Sequence, residues 1–147
     1  FERFNECLPM PLPAGTADAA LTVLPSLEEL NLWTLTVTGL PARQFTVKMD
    51  NVPVAVVSGT ELAKGWNMGF LEKGPVADQC RKILSLVAAK EAVVSSWRAA
   101  SAALEKAPTD AKRKTLEDLT KKTLEADAAI KAAAMPATHR FVLAPVR

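Results

Sequence analysis

Few residues in this sequence are of types that do chemistry. There is one imidazole, His139, and two thiols, Cys7 and Cys80. A nucleophile needs a base within hydrogen-bond reach and a third group to orient that base. The acids nearest His139 in sequence, Asp127 and Glu125, fall on the preceding helical stretch, and Pro136 stands three residues before it. His139 therefore reads as a surface or strand-end residue rather than a catalytic one. The two cysteines sit in neither a Cys-x-x-Cys nor a His-paired arrangement. Cys80 occupies an apolar helical position and reads as a small buried hydrophobe. Asp118, Glu125 and Asp127 are interleaved with lysines, which argues against paired-carboxylate chemistry and for a solvated helix face. No Gly-x-Ser-x-Gly elbow, phosphate loop, dinucleotide fingerprint or calcium-loop spacing occurs. A single His excludes a multi-histidine metal site built from this chain alone. The residues thus point to no catalytic group, no cofactor and no metal.

Composition sets the frame for these side chains. The 147 residues are 49% hydrophobic, enough for a sizeable core, and 5% aromatic with no Tyr. No run approaches the roughly 20 apolar residues needed to cross a bilayer. Residues 1–57 carry three Lys/Arg against six Asp/Glu, and residues 58–147 carry fifteen against ten. The basic excess is spread along helices in pairs such as Lys121 and Glu125, at i,i+4 spacing, rather than gathered into one stripe. A nucleic-acid surface is not expected. The opening Phe1-Glu2-Arg3-Phe4 has no Met, basic n-region or apolar h-region. It is neither a signal peptide nor an ordinary translation start, and suggests the carboxy-terminal piece of a longer protein.

The expected fold is α+β: a small antiparallel sheet or sandwich-like module, a long antiparallel helical hairpin and a closing C-terminal strand. Residues 1–30 read as irregular, with Pro9, Pro11 and Pro13 holding an extended segment and Ser26 capping one helical turn. Trp33, Leu35 and Val37 alternate with threonines, and Phe45, Val47 and Met49 alternate with Thr46 and Lys48. That period of two predicts strands. Asp50-Asn51 predicts a two-residue turn into a third strand over 52–57, completing a meander with Pro53 at its edge. Ser58-Gly59-Thr60-Glu61 is a capping box for a short helix that Gly65 ends. Trp66 to Phe70 reads as a loop clamped on the sheet.

Pro75 suits the first position of a long helix whose apolar residues Val76, Cys80, Ile83, Leu84, Val87, Val94 and Trp97 recur at three- and four-residue steps. It runs to about Lys106. After the turn at 107–110 a second helix extends to about Ala134 on a thin stripe of Leu116, Leu119, Thr123, Ala126 and Ile130. Residues 140–146 read as the closing strand. The expected division is a β module over 1–70 and 136–147 and a hairpin over 74–135.

Several blocks come in a family-like order: Leu8-Pro9-Met10-Pro11-Leu12-Pro13, Leu30-Asn31-Leu32-Trp33-Thr34-Leu35-Thr36-Val37-Thr38-Gly39-Leu40-Pro41, Phe45-Thr46-Val47-Lys48-Met49-Asp50 and Glu61-Leu62-Ala63-Lys64-Gly65-Trp66-Asn67-Met68-Gly69. With Gly74-Pro75-Val76, Trp97-Arg98 and His139-Arg140-Phe141, the chain resembles the carboxy-terminal half of SGNH/GDSL-type hydrolases of the kind found in planctomycete-like bacteria. The resemblance implies an ester or acyl hydrolase, with a Ser nucleophile in a Gly-Asp-Ser block, oxyanion donors from a Gly and an Asn, and an Asp-x-x-His block. It also implies an extracytoplasmic location.

None of the catalytic blocks carries over. Gly-Asp-Ser is absent, Met68 stands where an Asp should follow Gly65-Trp66-Asn67, and Pro136 replaces the acid of Asp-x-x-His. The resemblance therefore implies an accessory, non-catalytic portion that packs on or presents an upstream catalytic domain. Trp66, Met68 and Phe70 are the candidate contact surface, an idea that weakens if Trp33, Phe45 and Trp66 are all buried within the chain. The alternative is a free-standing binding or assembly module, with the hairpin available for homo-oligomer contacts.

Overall fold

The tight turn at Asp50-Asn51 organises the sheet. In the computed structural model, which describes residues 1–13 and 15–146, these two residues have φ of 50° and 68°. Positive φ at both positions matches the twist of the flanking strands. It joins β3 (Gln44–Met49) to β4 (Val52–Ser58), with Met49 opposite Val52. The register slips by one residue between the Val47–Ala55 and Lys48–Pro53 pairs, so Pro53 sits beside a bulge on an edge strand. There its missing donor costs no ladder bond.

The closing strand β6 (Thr138–Pro145) lies antiparallel to β3, from Phe45 opposite Pro145 to Met49 opposite Phe141. The other side of β6 takes β1 (Glu2–Phe4), giving the order β1-β6-β3-β4. The Phe1 ring stacks on Phe141 with centroids 5.4 Å apart, and Phe141 donates its N–H to the Phe1 carbonyl at 2.8 Å.

The meander expectation fails at its first strand. Only Thr34–Leu35 forms a strand (β2), and it pairs with β5 (Trp66–Asn67) in a separate two-stranded sheet. The backbone explains why. The Met68 amide donates to the Trp33 carbonyl, and the Val37 amide donates to the Leu62 carbonyl, both at 2.9 Å. Residues 62–68, not β3, thus satisfy this stretch, and Trp66 is in a strand rather than a loop. The period-two reading still placed the faces: Trp33 and Leu35 are buried.

The amino-terminal third also departs from expectation. It holds two helices, α1 (Ala17–Val23) and α2 (Leu27–Leu30), where one turn was expected. Ser26 does not cap: its own backbone is helical and its side chain makes no capping bond. The turn begins earlier, where the Leu27 amide donates to the Leu24 carbonyl.

The capping box is present in full. Ser58 Oγ accepts from the Glu61 amide at 3.1 Å, and Glu61 Oε2 accepts from the Ser58 amide at 3.0 Å, opening α3 (Gly59–Lys64). Hydrogen bonds from the Ser58 hydroxyl and amide hold the Glu61 carboxyl below its usual range. Ser58→Ala removes the acceptor of the Glu61 amide and leaves the backbone half in place, and is expected to cost about 1 kcal/mol in urea denaturation. An unchanged midpoint would show that the cap does not contribute.

The chain divides into two compact units, residues 1–81 with 135–147, and residues 82–134. The first unit's core gathers Trp33, Leu35, Val47, Met49, Val54, Val57, Leu62, Met68, Val76, Cys80 and Phe141. Helix α4 (Pro75–Lys106) begins in that core, with Val76 and Cys80 buried. Its continuation and α5 (Asp110–Ala133) make the hairpin of the second unit, with Thr109 capping α5 by accepting from the Lys112 amide. Lys90 pairs with Asp127, Trp97 with Thr120 and Lys112 with the Ala103 carbonyl, which runs the two helices antiparallel. No residue of α5 is fully buried, because its inward stripe is short-sided, and Val87, expected in the apolar stripe of α4, is exposed. Among the described residues no helix is long and apolar enough to cross a membrane.

Candidate functional site

The one imidazole is not where sequence neighbours placed it. Alternation along β6 turns His139 inward with Phe141, and both are buried. The partner of His139 is Asp50, 89 residues away, at the β3–β4 turn. His139 Nδ1 and Asp50 Oδ2 are 2.7 Å apart, and Asp50 Oδ1 accepts from the Arg140 amide at 2.8 Å. Burial pushes the Asp50 carboxyl up, but the hydrogen bonds from His139 and from the Arg140 backbone outweigh it and hold the carboxyl below its usual range. An ionised Asp50 only accepts, so Nδ1 donates in the shared hydrogen bond.

An Asp-oriented imidazole is the second half of a nucleophile–base pair. Here its working nitrogen is closed off: Nε2 is buried and has no hydrogen-bond partner. A base must reach the proton it removes. Within this chain the pair instead clamps the start of β6 to the β3–β4 turn. No local signal foretold it, since the turn residue and the strand residue are joined only once β6 lies against β3.

The contact trio is also rearranged. Met68 is 1% exposed and belongs to the core, so it offers no contact surface. Its amide extends the β2–β5 pairing, which turns the side chain inward. Trp66 is half-buried and packs against the same core, and Phe70 is half-buried at the rim of a small groove. Trp33 and Phe45 are buried as well. The aromatic side chains of this unit mainly serve its own packing.

That groove runs between Pro9–Pro13, Met68–Glu72 and the start of α4, and leaves about 40 Å³ of free space. Small-molecule sites need several hundred cubic ångströms. Cys80 lines it with its thiol 3.7 Å from the Pro9 carbonyl, and burial pushes that thiol's pKa up, away from a reactive thiolate. Cys7 is exposed and, like Cys80, unpaired. Asp127 is held below its usual range by Lys90 and Lys131, with nitrogens at 2.8 and 3.2 Å. It is a neutralised helix carboxylate. No group of three or more His, Cys, Asp and Glu residues able to hold a metal occurs among the described residues.

A residue that sequence reasoning passed over is Asn31. It is buried, and its side chain satisfies three backbone groups. Oδ1 accepts from the Met10 amide at 2.7 Å, and Nδ2 donates to the Gly69 carbonyl at 2.8 Å and the Met10 carbonyl at 3.5 Å. It ties the proline-rich segment and the loop after β5 to the end of α2.

No family model matches this chain, and no curated protein matches it. Among solved structures, the chain is similar over 99% of its length to a gut microbial diltiazem-metabolizing enzyme, with a TM-score of 0.77 and 20% identity. The chain spans 42% of that enzyme's length. At this identity the likeness is one of fold.

Proposed function

We propose that this chain is the accessory, non-catalytic portion of an SGNH/GDSL-type ester hydrolase, packing on or presenting a catalytic domain carried elsewhere in the same polypeptide. The observation that carries the reading is one of proportion. Nearly the whole chain matches in fold a part, 42%, of a longer chain described as a metabolizing enzyme. The chemistry of the residues agrees with that reading. The sequence has no Gly-Asp-Ser block, and its one imidazole has a buried, unpartnered Nε2. The sequence resemblance supplies the reaction class, hydrolysis of an ester or acyl bond.

The test compares hydrolysis of 4-nitrophenyl acetate by this chain, by its His139→Ala variant and by the polypeptide encoded by the whole reading frame. The chain and its variant are expected to match the buffer rate. The longer polypeptide is expected to turn over and to lose turnover when the Ser of its own Gly-Asp-Ser block is replaced. Turnover by this chain that His139→Ala abolishes overturns the reading. A reading frame without the block also overturns it, in favour of a free-standing binding or assembly module.

A further inference from the structure

The stretch Leu30-Asn31-Leu32 is built inside out. Asn31, the polar residue, is 3% exposed with its side chain hydrogen-bonded, whereas Leu30 and Leu32 on either side are 75% and 62% exposed. Exposed leucines singly are ordinary, but a contiguous group marks an interaction surface. Leu24, whose carbonyl opens the turn into α2, and Met10, whose backbone Asn31 holds, are exposed as well. A buried amide that fixes the backbone while two leucines face outward gives the patch a defined shape before anything meets it. Such preorganisation lowers the cost of association.

We infer that this face, Met10, Leu24, Leu30 and Leu32, is the seat of the catalytic domain, an inference that rests on the proposed function. Two observations single out that occupant. The first is proportion: the chain spans 42% of the enzyme it matches in fold, so in a polypeptide of that plan a larger body shares the chain. A domain tethered in the same chain needs only a modest interface, because the tether raises its effective concentration. The second is charge. Glu28 and Glu29 are exposed and adjoin Leu30 in sequence. The complementary partner has an apolar centre and a basic rim. A second copy of this chain docked through the same patch would set Glu28 and Glu29 against their own counterparts, which like-charge repulsion disfavours.

Hydrogen exchange of residues 24–32, measured in this chain and in the polypeptide encoded by the whole reading frame, tests the seat. The longer polypeptide is expected to exchange at least tenfold more slowly there. Leu30→Ser with Leu32→Ser should erase that difference while leaving the melting temperature of this chain unchanged, since both side chains are already exposed. Glu28→Lys with Glu29→Lys, which leaves the leucines in place, should weaken the protection through the rim alone. Equal exchange in the two proteins overturns the inference. So does a dimer of this chain, seen by sedimentation, that the leucine substitutions dissociate. Serine-dependent ester turnover separates the two levels. Turnover with equal exchange rejects the seat and keeps the hydrolase reading, and no turnover rejects both.

Discussion

Gly69→Ala is expected to unfold the first unit or leave it barely stable, with a loss beyond about 4 kcal/mol, a size seen only when a specific structural feature is broken. A β-carbon at Gly69 would lie 2.0 Å from the Asn31 carbonyl oxygen and 3.1 Å from its carbon. Both are backbone atoms, so no side-chain rotation relieves the overlap. Nor is the loop free to move away. The Gly69 amide donates to Asn67 Oδ1 at 2.9 Å, its carbonyl accepts from Asn31 Nδ2 at 2.8 Å, and the same Asn67 oxygen accepts from the Trp33 amide at 2.9 Å. Shifting Gly69 by the required distance breaks this net and withdraws Met68 from the core. Urea denaturation followed by tryptophan fluorescence measures the loss. A midpoint close to that of the unsubstituted chain would mean that the loop yields, contrary to this packing.

Asp50→Ala is the second large effect, about 2–4 kcal/mol. It leaves a buried imidazole without its acceptor, and an unsatisfied buried group costs about 1–3 kcal/mol, whereas the exposed Arg140 amide can turn to water. It also places Ala at a φ of 50°, which adds about 1 kcal/mol. Asp50→Asn tolerates the same φ and keeps one acceptor oxygen, so its loss should be smaller, about 1 kcal/mol. The ionic part is modest because the Asp50 side chain is 40% exposed. Its sign is nevertheless fixed. The folded carboxyl lies below its unfolded value, so its contribution is complete above the ordinary aspartate range of about 4 and fades as pH falls through the folded value. The stability gap between the native chain and Asp50→Asn should therefore narrow in acid. A gap that stays constant from neutral pH to below pH ~3 would show that the carboxylate's charge plays no part.

These two sites also mark what the sequence could and could not reveal. The Asp50-Asn51 turn, the Ser58–Glu61 cap, the Pro75 start and the stop at Pro136 were legible because each is decided by a few adjacent residues. So was the alternation that buries Phe45, Val47 and Met49. The pairing of Thr34–Leu35 with Trp66–Asn67 was not. Its alternation is as clean as that of β3, and only the backbone groups offered by residues 62–68, the Leu62 carbonyl and the Met68 amide among them, decide which neighbour it takes. Asn31 was hidden by its context, since a polar residue between leucines on a short helical turn looks solvent-facing. The Asp50–His139 clamp needed the whole topology, with β6 laid against β3 across the helices, before a turn carboxylate and a strand imidazole could meet. The candidate surface shifted for the same reason. Large aromatics near the sheet drew attention, yet the core consumed them and left leucines outside.

The place of β6 has a consequence for how the chain comes into being. Of the described strands, β6, which separates β1 from β3, is synthesised after the others, and β1 pairs with none of them but β6. Until residues 138–145 emerge, the nascent chain holds a β3–β4 hairpin whose β3 edge is open and a β1 segment without its β6 partner. The helices of 82–134 rest on local contacts and can form during that wait, whereas the sheet depends on pairings across more than ninety residues, such as Met49 with Phe141. An open edge of Phe45, Val47 and Met49 is a template for intermolecular pairing. Synthesis that stalls before the final strand would leave a product whose helices are formed and whose sheet is adhesive.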